Sequence, residues 1–178
     1  MATFSREEIQ DGLKRLGELA QAQGLHIRLT LLGGAVMVLG YQARQSTRGV
    51  DVVIIAPREA RLVRTLAKQV AEERGWPDDW LNDGAKGYLV GISDGPILFR
   101  APGIEARAPS LEQLLAMKLS AWRDDLDIAD ARRLLQEIKS GRDQEDIWQS
   151  LEPYLVPGDE LTAQYAFLDL WESLYGSD

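Results

Sequence analysis

Apolar residues at Ile9, Leu13, Leu16 and Leu19 recur at helical spacing, and Ser5 with Glu8 forms an S-x-x-E capping box ahead of them. A first helix is therefore predicted to start after Ser5 and end near Gly24. Residues 25–32, rich in Leu, Ile and Thr, read as a strand that runs into Gly33 and Gly34. Ala35 to Gly40 reads as a short apolar helix and Tyr41 to Gly49 as a polar loop. Val50 to Ala56 is a second strand, apolar enough to be central in a sheet. Pro57 closes it, and Leu62, Val63, Leu66 and Val70 mark one face of the next helix. Residues 75–89 are loop-like, and their two tryptophans, Trp76 and Trp80, need burial or a ligand. Short strands follow near Ile97–Arg100 and Ile104–Ala108 around a Pro102-Gly103 turn. Ser110 and Gln113 suggest another capping box, and helices are expected at about 111–123, 127–139 and 159–175. This is an α/β (α+β) layout with a mixed sheet and a helical C-terminal half. The expected division is a core of residues 1–109 and a helical extension of 110–178, packed as one unit.

Asp51 breaks the apolar run of the second strand. An unpartnered buried charge costs several kcal/mol, so a cation is expected beside it, either a metal ion or an Arg or Lys side chain. Gly33 and Gly34 let the backbone approach a ligand, and unpaired N–H groups at a helix start attract anions. Phosphates held there could share a magnesium ion with Asp51. Arg44, Ser46, Thr47 and Arg48 lie in the intervening loop, where arginine can grip a triphosphate by two parallel hydrogen bonds. Leu114, Lys118 and Trp122 share one helical stripe, so Lys118 is either a snorkelling side chain or a phosphate ligand. Asp127 and Asp130, one turn apart, are placed to hold Lys118 or Arg123, or to stand solvated at a helix start.

Composition narrows the classes. The chain has 178 residues, no Cys and one histidine. Disulfides and thiolate metal sites are excluded, and a His-rich zinc site is disfavoured. His26, without a second ligand nearby, reads as structural. No apolar run is long enough to span a membrane and the N-terminus has no signal core, so a cytoplasmic protein is expected. The net charge of -8 lies wholly in residues 141–178, which hold nine acidic residues and one basic residue. Broad nucleic-acid binding is disfavoured. The acidic tail is either a solvated face or a docking surface for a basic protein partner.

The Gly pair followed by an acidic strand resembles the nucleotidyltransferase superfamily of the polymerase-beta type. The run YQARQSTRGVDVVI, the WLN of Trp80 to Asn82 and the run LLAMKLSAWRDDLDIADARRL are similar to bacterial nucleotidyltransferase-like proteins related to the abortive-infection and toxin–antitoxin group. The likeness spans roughly Leu31 to Leu135. It implies transfer of a nucleoside monophosphate from a nucleoside triphosphate to a hydroxyl acceptor such as tRNA or a protein. It implies magnesium on Asp51, a triphosphate at Gly33-Gly34 neutralised by Lys118 and Arg48, a catalytic role for Asp51, Lys118 and Asp127, and substrate contact at Asp130. The family's strand carries a further acid two positions before Asp51, where this chain has Gly49. Three explanations stand: a non-catalytic relative, replacement of the missing acid by Glu105, or an inactivating change in a toxic enzyme. The corresponding alternative function is a nucleotide-sensing or partner-binding module of a toxin–antitoxin-like system.

Overall fold

The Ser5 capping box forms as expected. Ser5 Oγ accepts from the Glu8 N–H at 3.2 Å, and the Glu8 carboxylate accepts from the Ser5 N–H at 3.2 Å. In this computed structural model, which describes residues 2–85, 89–122 and 125–176, the cap starts α1 (Arg6–Ala22), which follows the two-residue strand β1 (Phe4–Ser5). Then come β2 (Ile27–Leu32), α2 (Gly33–Leu39), β3 (Ser46–Thr47), β4 (Val50–Ala56), α3 (Ala60–Arg74), β5 (Leu81–Asn82), β6 (Ile97–Ala101) and β7 (Ile104–Arg107). The C-terminal half is α4 (Leu111–Ala121), α5 (Asp125–Lys139), α6 (Gln144–Leu151), a 3₁₀ turn (Glu152–Tyr154) and α7 (Glu160–Tyr175). The protein is thus mixed α/β with a helical C-terminal half. Among the described residues, no helix is long and apolar enough to cross a membrane.

The chain divides into two compact units, Met1–Gly87 with Asp94–Pro109, and Tyr88–Ser93 with Ser110–Asp178. In the first, a five-stranded sheet has the order β5-β4-β2-β7-β6. Strand β2 is central: it runs antiparallel to β4 and parallel to β7. Strand β4 is second from an edge, flanked by β2 along its length and by the two-residue β5 only at Val50 and Asp51. Its outer residues stay accessible, with Ile55 41% exposed. A β1–β3 pair, with Phe4 opposite Thr47, ties the loop before β4 to the start of the chain.

Helix α1 meets the β6–β7 hairpin through Gly17. A β-carbon there would fall 2.5 Å from the Pro102 carbonyl oxygen and 2.6 Å from Ile104 Cγ2. A glycine inside a helix normally costs about 1 kcal/mol; here the close approach of helix and hairpin requires it. Trp76 and Trp80 serve packing. Trp80 is buried, its indole donates to the Ala67 carbonyl at 2.8 Å, and Phe4, Trp76 and Trp80 stack edge to face at 5.1 and 5.2 Å. His26, read as structural, is exposed at the start of β2.

In the second unit, Ser110 Oγ caps α4 by accepting from the Gln113 N–H. The Gln113 side chain does not return to the cap. It is buried, its Oε1 accepts from Ser93 N–H and hydroxyl, and its Nε2 donates to the Gly91 carbonyl at 2.9 Å. These bonds join Gly91 and Ser93 to the helical unit, a segment that a division at residue 110 leaves with the core. Helix α6 is an addition to the predicted elements. Asp143 caps it by accepting from the Asp146 N–H at 2.8 Å, and Ile147 and Leu151 bury its inner side.

Helices α1 and α3 are clipped by Arg74–Asp11 at 2.6 Å and Arg15–Glu73 at 2.8 Å. The hydrogen bond from Arg15 holds the Glu73 carboxyl below its ordinary range, and that from Arg74 does the same for Asp11. Carboxyls with lowered pKa add stability above their unfolded pKa and lose it as pH falls through the folded value. The expected outcome is an acid-side loss of stability that begins below about pH 4.5. In melts across pH 3–7, an Arg15→Ala/Arg74→Ala variant should lie below wild type at neutral pH and converge with it near the acid end. Parallel curves would show that the clips carry no such linkage.

Candidate functional site

The β2–β4 pairing puts Leu32 directly opposite Asp51. The next residue, Gly33, turns the chain with φ +59°, in the left-handed region that favours glycine. Asp51 Oδ2 lies 3.4 Å from where a Gly33 β-carbon would sit. Strand parity places Asp51 on the face of the sheet opposite Ile104, the residue packed on α1. Asp51 is exposed rather than buried in the strand. The expectation built on desolvation is corrected: although β2 and β5 pair with it on either side, its side chain stays exposed.

Gly34 is crowded. A β-carbon there would collide with the Thr47 hydroxyl and lie 3.0 Å from Arg44 Nη1. The β1–β3 pair holds Thr47, whose hydroxyl donates to the Gly49 carbonyl at 3.3 Å. All five apolar side chains of α2, Ala35 to Leu39, are buried. Arg6 closes the C-terminal end of that helix by donating to the Leu39 carbonyl at 2.8 Å. Thus Gly33, Gly34, Arg44, Thr47 and Asp51 converge from one turn, one loop and one strand. Ser46 and Arg48 are exposed in the same loop. Asn82 joins this group: it is in register with Asp51 across the parallel β4–β5 pair, and its Oδ1 accepts from the Gly84 N–H at 2.7 Å. The WLN run was the sequence signal for it.

Glu105 does not join the group. It stands opposite Arg28, four residues along β2 from Leu32. That is about 13 Å along the sheet and two strand spacings of about 4.8 Å across it. Metal–oxygen bonds of about 2.0–2.6 Å cannot bridge that separation. Glu105 instead pairs with Arg107 at 3.0 Å and Arg100 at 3.5 Å. Burial pushes its carboxyl up, but the two guanidinium groups outweigh this and leave it below the ordinary range. Glu105 as a metal ligand shared with Asp51 is therefore corrected. Among the described residues, no three His, Cys, Asp or Glu side chains gather as a metal-binding group.

Position 49 is roomy. A β-carbon on Gly49 would meet only the Trp80 carbonyl oxygen, at 3.6 Å, which is ordinary contact.

Lys118, Asp127 and Asp130 belong to the second unit. Lys118 Nζ lies 3.1 Å from Asp127 Oδ1 and 2.8 Å from Asp130 Oδ2. Both carboxylates are almost wholly buried, at 3% and 2% exposure. The one-turn spacing therefore holds Lys118 in place, one of the two arrangements its sequence allowed, and neither aspartate is a solvated helix-start residue. Arg123 lies outside the described residues. The triad ties α4 to α5.

Compared with protein families, with characterised proteins and with solved structures, this chain finds no match.

Two substitutions at glycine separate crowding from conformation. Gly34→Ala should destabilise the first unit by roughly 1–3 kcal/mol through overpacking, whereas Gly49→Ala should change stability by less than about 1 kcal/mol. Urea melts of the two variants test the contrast, and equal losses would refute it. Lys118→Met should cost roughly 3 kcal/mol, as expected when one partner of a buried ion pair is removed. An unchanged unfolding midpoint would mean that the lysine is not part of the packing.

Proposed function

We propose that this chain binds a nucleoside triphosphate with magnesium, and that it has the build of a nucleotidyltransferase without the ligand set that phosphoryl transfer needs. The observation that carries the reading is the placement of Asp51 beside the Gly33 turn, its Oδ2 3.4 Å from where a β-carbon on that glycine would sit, with Arg44 and Thr47 against the next residue, Gly34. Several features support a triphosphate at this place. The Gly33 turn leaves its backbone open to a ligand, a guanidinium and a hydroxyl pack on the neighbouring Gly34, and an exposed carboxylate lies one strand away. Magnesium binds through one or two carboxylates completed by phosphate oxygens and water. Asp51 would hold the ion, with Asn82 beside it, and the ion would neutralise phosphate charge. Arg44 and Arg48 would grip the phosphate oxygens.

The loss of transfer follows from the donor set. Phosphoryl transfer is catalysed by positioning and by charge neutralisation, so a missing metal ligand removes much of the rate. Gly49 supplies no carboxylate, and Glu105 is too far along the sheet and held by two arginines. A nucleotide-sensing module of a toxin–antitoxin-like system fits this set of residues.

Transfer of a nucleoside monophosphate to a tRNA or protein hydroxyl is the second reading. It is favoured by the open space at position 49, where the backbone accepts a side chain on the Asp51 side of the strand.

Calorimetry with each nucleoside triphosphate and magnesium, beside a radiolabel-transfer assay on total RNA and protein, tests both. The expected outcome is magnesium-dependent binding of at least one nucleotide, weakened at least about tenfold by Asp51→Asn, a loss of about 1.4 kcal/mol, with no label transferred by the wild type. Gly49→Asp should tighten metal-dependent binding. Absence of binding at millimolar nucleotide would overturn the proposal. Label transferred by the wild type and lost in Asp51→Asn would replace it with the enzymatic reading.

A further inference from the structure

Helix α7 is apolar on two sides. Its inner side buries Ala163, Phe167 and Leu170. Its outer side carries Leu161, Tyr165, Leu168 and Tyr175, exposed at 61%, 63%, 44% and 38%. Their spacing of four, three and seven residues forms one stripe, and Glu172 falls on it between Leu168 and Tyr175. The stripe is about 21 Å long at 1.5 Å per residue. Large apolar side chains aligned over four turns are unlike singly scattered surface residues and mark an interaction surface.

Charge selects the occupant. From Gln144 to Tyr175 there are seven acidic residues and no Lys or Arg, and Lys139 of α5 lies over the Tyr175 ring at 5.1 Å, at the last position of the stripe. Asp169 stands exposed at the edge of the stripe and Glu172 within it. Two copies meeting through this surface would bring like charges together, as would an anionic membrane. A cationic partner gains both apolar burial and attraction. An amphipathic helix of about four turns matches the length of the stripe, and lysines or arginines beside its apolar ridge match the acids.

We infer that the outer side of α7 is a docking surface for a basic amphipathic helix of another protein. The surface is independent of the nucleotide reading, so either can fail alone.

The test uses the full chain and a fluorescein-labelled 18-residue Lys/Leu peptide of helical amphipathic pattern, with its Glu/Leu counterpart as control. Fluorescence anisotropy should show micromolar binding of the Lys/Leu peptide only, weakened at least tenfold between 50 and 300 mM salt. Leu161→Ser/Leu168→Ser and, separately, Asp169→Lys/Glu172→Lys should each weaken it at least tenfold. All four side chains are exposed, so circular dichroism and the melting temperature should not change. Failure of the Lys/Leu peptide to bind, equal binding by the variants, or equal binding of the Glu/Leu peptide overturns the inference. So does a wild-type dimer, seen by sedimentation, that Leu161→Ser/Leu168→Ser dissociates.

Discussion

The antiparallel pairing of β2 with β4 is the constraint from which the candidate site follows. Leu32 and Asp51 stand in register at the end where β2 becomes α2. Side chains alternate across a strand, so a slip of one residue would send Asp51 to the face occupied by α1. The irregularity in the pairing falls between Arg28 and Leu29, toward the opposite end of β2. The Leu32–Asp51 end is regular, and the carboxylate lies beside the Gly33 turn. Gly34, Arg44 and Thr47 depend on the same geometry, because the loop that carries them must return from α2 to β4. The β1–β3 pair and the Arg6 contacts with α2 hold both ends of that return.

The charged residues of the sheet separate into two groups along β2. Asp51 stands at one end near Arg44. Glu105, Arg100, Arg107 and Arg28 share the opposite end or the adjacent rows. A carboxylate surrounded by arginines serves as a charge-balanced surface, whereas a metal centre for phosphoryl transfer gathers its carboxylates around one point. This separation, on which the proposed reading draws, rests on register rather than on residue identity.

The helical unit is organised by polar contacts placed inside it. Gln113 satisfies Gly91 and Ser93, and Lys118 bridges two buried aspartates. Buried polar groups are costly unless paired, so such networks specify one arrangement of the helices. Lys139 adds to this by lying over the Trp171 and Tyr175 rings at 5.2 and 5.1 Å, near the end of α7. The surplus acids of residues 141–178 are mostly on exposed positions, where their hydration is kept.

Local pattern made most elements legible in the chain itself. The Ser5 cap, the two helices with heptad-like apolar spacing, the β6–β7 hairpin around Pro102-Gly103 and the Val50–Ala56 strand each express a rule that acts over a few residues. The α6 helix escaped because its apolar signal is only Ile147 and Leu151, with a D-x-x-D cap in place of the Ser and Glu pattern. Gly33, Gly34 and Asp51 were legible as a group because a short turn and a following strand bring them together wherever β2 and β4 pair. Tertiary structure alone decided the rest. The exposure of Asp51, which is paired on both sides, depends on what covers its face of the sheet, the reach of Glu105 depends on its register with Arg28, and the Gln113 side chain depends on Ser93. Each is a relation between residues distant in sequence, set by strand order and packing, which no local periodicity encodes.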